Sequence, residues 1–158
     1  YKGVCTNVLV EGCKRVMENP VENNTVRREE IDQNTGIQYI IEYIVEPGKN
    51  EISKLTLYDI QKIEDYTYEL IYTLTAPEKT AVRMVVHKKY AGETVYLGTI
   101  EIGEYWLEKK AWFFNVNDLE DTLNTHGVIK TFERILRAIA IWTRHAIYHT
   151  IDGIEQIL

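Results

Sequence analysis

The chain has 158 residues, 45% apolar and 27% charged, with a formal charge of −6. That length suits a single domain over 1–158, able to bury about 70% of the surface its unfolded chain exposes. The negative balance argues against non-specific attachment to phosphate backbones or acidic lipid, and neither a membrane-length apolar run nor a charged-then-apolar leader is visible, so the chain reads as a soluble domain.

Eleven Tyr stand against three Phe. Tyr covers apolar area while keeping a wet hydroxyl, so the excess points to half-buried sheet, with a contact surface as the other reading. Cys5 and Cys13 are the only cysteines. Bridged, they close a short loop worth about 2–3 kcal/mol; reduced, they are small apolar residues. Asn23 opens a glycosylation acceptor pattern with Asn24 and Thr25. Neither feature assigns a compartment, and the localisation stays open.

Residues 4–10 read as a short strand or the start of a helix, and 11–17 as a short helix stopped before Pro20. The polar, Asn-rich stretch 18–36 reads as a mobile loop. From Gly36 the apolar period becomes two. Ile37, Tyr39, Ile41, Tyr43 and Val45 alternate with Gln38, Ile40, Glu42, Ile44 and Glu46 up to the Pro47-Gly48 turn, which predicts a strand. Ile52, Leu55, Leu57 and Ile60 predict a weaker second strand. Stretches 66–75, 81–90 and 94–102 predict three more, separated by turns at Ala76-Pro77-Glu78-Lys79 and Ala91-Gly92-Glu93. Such short turns imply antiparallel hairpins.

Residues 104–115 are read as a sixth strand ending near Val116, and 117–124 as a short helix beginning at an Asn-Asp cap. After Gly127 twenty-five residues pass before the next Gly, at Gly153, with Val128, Phe132, Ile135, Leu136, Ile139, Trp142 and Ala146 at three- and four-residue steps. This predicts one long C-terminal helix over 127–157. The fold class is therefore α+β: an antiparallel β-meander of five to six strands packed in two layers against that helix. This order of elements resembles the helix-grip layout of ligand-binding domains such as START domains, by topology alone.

Three functional readings follow. The first is a non-catalytic binding module, with Tyr96, Tyr105, Trp106, Trp112 and Trp142 lining a sheet/helix interior that admits a small hydrophobic ligand. The second is a homo-oligomeric or protein-partner assembly built on the helix face, where Ile141 and Tyr148 are framed by Arg134, Arg137 and Arg144. The third is a metal-dependent enzyme acting on nucleic-acid phosphodiesters, with Glu101, Glu104, Glu108 and Lys110 around a divalent ion. Helical spacing also brings His145, His149 and Asp152 to one side as a metal-ligand set, although the HExxH arrangement is missing. Glycine-rich phosphate loops, a CxxC pair and a nucleophile elbow are absent too. The chain accordingly reads as non-enzymatic, with no metal and no cofactor implied.

Overall fold

The computed structural model describes residues 24–78, 81–102, 111–142 and 146–149. Their strands are β1 (Thr25–Ile31), β2 (Gln38–Val45), β3 (Ile52–Ile63), β4 (Tyr66–Glu78), β5 (Ala81–Tyr90), β6 (Glu93–Ile102) and β7 (Ala146–His149). They form one antiparallel sheet whose spatial order is the chain order. A 3-10 turn, Trp112–Phe114, and a helix, α1 (Val116–Trp142), separate β6 from β7. The helix lies on one face of the sheet, giving the two-layer α+β arrangement that the sequence pattern implies.

Alternation decides which face is covered. Ile41 and Tyr43 of β2 stand opposite Leu57 and Leu55 of β3. The same rows continue through Tyr72 and Leu74 of β4, Val86 and Met84 of β5, and Ile100 of β6. All nine are buried and join Leu119, Leu123, Val128, Phe132, Ile135 and Ile139 of α1 in one core. The opposite face carries the polar partners of the alternation. Arg83 pairs with Glu101, Arg27 with Glu29, and Lys89 with Glu69. At Ala91 and Gly92 both φ angles are positive, as a two-residue hairpin turn requires.

Four expectations change. The stretch 18–36 is not all loop, because Thr25–Ile31 forms β1 along β2; residues 18–23 lie outside the described residues. The strand escaped notice because it is an edge: Arg27, Arg28, Glu29 and Glu30 interrupt the apolar alternation, and such charges protect an edge from unwanted pairing. Arg28 and Glu30 also face the helix, where they find polar partners instead of an apolar layer.

The sixth strand expected over 104–115 is not seen in its described part. Trp112–Phe114 winds as a 3-10 turn. Phe113 and Phe114 are adjacent and both buried, which strict alternation cannot arrange. The remaining residues of that stretch, 104–110, lie outside the described residues.

The helical stretch runs Val116–Trp142 with non-helical backbone at Gly127, so the short helix expected over 117–124 and the break before the long helix are both present, whereas the long helix is bounded at Trp142 and does not extend to 157. Asn115 caps α1, its Oδ1 accepting from the Asp118 N–H at 3.0 Å. Residues 146–149, expected in the helix, pair instead with Thr99–Ile102 of β6 as β7. The open hydrogen-bonding edge of β6 offers those residues a ladder, and strand formation depends on such context more than on local pattern.

Candidate functional site: the cleft of the bent helix

Gly127 has φ 82° and ψ 174°, far from helical values, and α1 bends there. In a straight helix Asp118 and Ile141 would stand roughly 35 Å apart. Instead they line one open cleft of about 640 Å³ together with Trp112, Asp121, Thr122, Arg134, Arg137 and Ala138. The bend therefore folds the helix into two arms that face each other.

Each arm is held by a separate device. The first lies along β1, where Arg28 Nη1 donates to Glu120 Oε2 at 3.1 Å and reaches Asn124 Oδ1 at 3.4 Å. At the bend the Ile129 N–H donates to Glu30 Oε1 at 3.1 Å, so a carboxylate from β1 caps the start of the second arm. Phe132 then anchors that arm on the sheet. Its ring meets Tyr39 at 5.0 Å and Tyr72 at 5.7 Å, both edge-on. Val128, Phe132, Ile135 and Ile139 face inward, which turns Arg134, Arg137, Ala138 and Ile141 towards the cleft.

The two walls are chemically opposite. Asp118 and Asp121 stand on the first arm, Arg134 and Arg137 on the second, and none of these four side chains is ion-paired among the described residues. Thr122 adds a hydroxyl, which donates to the Asp118 carbonyl at 2.9 Å. Trp112, Ala138 and Ile141 supply apolar surface, and Ile141 is 49% exposed. Cleft residues 134, 137, 138 and 141 follow i, i+3, i+4, i+7 spacing, the stripe by which one helix meets another.

Of the residues singled out from sequence, Trp112, Arg134, Arg137 and Ile141 converge in this cleft. Tyr96 does not. It is 51% exposed on the far side of the sheet, hydrogen-bonded to Thr99 and edge-on to His87 at 5.8 Å, and so cannot line the interior. Trp142 is the last residue of α1. Its side chain, together with Tyr105, Trp106 and Arg144, lies outside the described residues. Tyr148 stands in β7 opposite Ile100, not on a helix face.

Glu101 is engaged by Arg83 at 2.6 Å on the exposed face, whereas Glu104, Glu108 and Lys110 lie outside the described residues. His149 is a strand residue opposite Thr99, so the helical spacing that would align it with His145 and Asp152 does not hold; those two also lie outside the described residues. No group of three metal-ligating side chains gathers among the described residues. Cys5, Cys13 and Asn23 fall outside them as well.

Sequence reasoning missed Asp118, Asp121 and Thr122 as cleft residues. They were legible only as the acidic first turn of a short helix, and nothing local says that this turn faces Arg134 and Arg137. No known protein family, characterised protein or solved structure matches this chain.

Proposed function

We propose that this protein is a non-catalytic interaction module that associates through the cleft of its bent helix, and that the occupant is a second copy of the same chain. The observation carrying this reading is the pair of opposed walls, acidic at Asp118 and Asp121 and basic at Arg134 and Arg137, with no ion pair to any of the four among the described residues. Two copies related by a two-fold axis bring each acidic wall against the other's basic wall, because an isologous contact repeats every pairing twice. Charge complementarity of this kind sets register and suppresses wrong partners. Trp112 and Ile141 supply the apolar centre that such a contact needs. The cleft, at about 640 Å³, holds about one and a half turns of a helix roughly 10 Å across.

Sedimentation or light scattering at rising protein concentration tests this directly. A parent that dimerises, an Arg137→Asp variant that does not, and an Asp121→Arg/Arg137→Asp double variant that regains the dimer are the expected results. A parent that stays monomeric at high concentration, or a charge reversal without effect, refutes the proposal.

A second reading rests on the cleft's size, which lies within the range of about 300–1,000 Å³ typical of small-molecule sites. Here an amphiphilic anion sets its apolar body on Trp112 and its acid group on Arg134 and Arg137. This keeps the binding-module expectation and moves its site from the sheet/helix interior to the cleft. The phosphodiester reading draws no support from Glu101, whose carboxylate is occupied by Arg83.

A further inference from the structure

At the bend of α1 the inner face of the sheet carries a rung of unusual composition. Register places Glu30, Tyr39, Asp59, Leu70, Lys88 and Val95 in one row across six strands. Asp59 occupies the position after Leu55 and Leu57 on the buried side of β3, where an apolar residue would continue the core. Among the described residues its carboxylate accepts one hydrogen bond, from Gln61 Nε2, at 3.3 Å to Oδ1. No cation pairs with it among the described residues; Lys88, on the same rung beyond Leu70, makes no ion pair to it.

Three tyrosines neighbour Asp59 across the ladder. Tyr39 stands directly opposite Asp59 on β2. Tyr68 and Tyr72 flank Leu70, its partner on β4, and so hold the two diagonal positions that cross-strand side chains can reach. Tyr72 is buried, while Tyr39 and Tyr68 are half-exposed, and Phe132 packs edge-on against Tyr39 and Tyr72. Beyond Tyr68 the rings continue outward, with Tyr90 at 6.0 Å from Tyr68 and 5.6 Å from Tyr66. Tyr39 and Tyr72 have phenols pushed above their ordinary range by burial first and by the Asp59 charge second. Register and charge alike place the carboxylate beside Tyr39 and Tyr72. Burial likewise raises Asp59 above the usual carboxylate range.

A half-buried carboxylate flanked across the ladder by tyrosines, with no cation paired to it among the described residues, suits an organic ammonium ion. The ring quadrupoles attract the cation, and the carboxylate supplies the full charge that a desolvated ammonium needs. We infer that the rung centred on Asp59, with Tyr39, Tyr68 and Tyr72 around it, is a binding site for a small organic ammonium ligand. This site is separate from the cleft of α1 and does not depend on the association proposed there.

Titration of the full chain with choline chloride, followed through backbone amide NMR shifts, tests the inference. The expected result is saturable binding with shifts centred on Tyr39, Asp59 and Tyr68. The neutral isostere, in which carbon replaces the quaternary nitrogen, should not bind. Asp59→Asn should weaken choline binding by about tenfold or more, given the combined loss of charge and retention of the rings. Tyr68→Leu, which keeps the carboxylate, should weaken it by a smaller factor, and Lys88→Met should leave it equal or stronger. Equal binding of the neutral isostere, unchanged binding by Asp59→Asn, or shifts centred on the α1 cleft would overturn the assignment, as would no saturable binding.

Discussion

Replacing Gly127 by Ala separates a bent α1 from a straight one by the sign of a single stability change. If residue 127 were an ordinary helical position, Ala would stabilise the protein by about 0.8–1 kcal/mol, because Gly is the poorer helix former. The bend demands φ 82° and ψ 174°, a region of backbone space essentially restricted to glycine. Forcing Ala there costs about 1–3 kcal/mol. A Cβ at this position would also meet Glu30 Oε1 at 3.1 Å, the oxygen that caps the second arm through the Ile129 N–H. Displacing that carboxylate removes a charge-assisted hydrogen bond worth about 1 kcal/mol. The net expectation is destabilisation by about 2–4 kcal/mol, a fall in Tm of about 5–15 °C for a chain of this size. Urea titration monitored by circular dichroism, with a calorimetric scan, measures both quantities. A Gly127→Ala protein as stable as the parent, or more so, refutes the bend and with it the cleft.

Phe132→Ala should cost about 3–5 kcal/mol, since the ring is buried and lost from contacts with both Tyr39 and Tyr72; chemical denaturation of parent and variant checks it, and a loss below about 1 kcal/mol would show that the second arm is not anchored there. Asp59→Asn should stabilise the protein at neutral pH. Burial holds the folded-state pKa of Asp59 above its unfolded value of 3.8, so its contribution to stability is fully present below that value and is lost as pH rises through the folded pKa. The advantage of the variant should therefore shrink as pH falls towards the unfolded value, and a series of melts across acidic pH would expose a gap that stays constant as a contradiction.

The alternation of β2 and of β4 to β6, and the turns at Pro47-Gly48 and Ala91-Gly92, were legible in the sequence because they depend on neighbours one or two residues apart. A strand with one face in the core must place apolar residues at every second position, and a two-residue hairpin turn must tolerate positive φ. Residues 81–90 illustrate this: Val82, Met84 and Val86 are buried, while Arg83 and Lys89 meet acids on the other face. The helical period after Gly127 was legible for the same reason, and so was a break at Gly127 itself.

The direction of the chain at that break was not legible. A glycine between two helical patterns marks an interruption, but the angle between the arms is set by Glu30, Arg28 and Phe132 contacts with partners far away in sequence. The cleft follows from that angle: Trp112, Arg134, Arg137 and Ile141 carried visible chemistry, yet only the fold-back brings Asp118 and Asp121 against them. Strand β7 has the same origin, since Ala146–His149 is a strand because β6 offers an edge and not because of its own pattern. Asp59 became distinctive only when register put Tyr39, Tyr68 and Tyr72 around it. Local periodicity decides which face of an element is apolar; long-range hydrogen bonds and packing decide what that face, and the polar residues beside it, will meet.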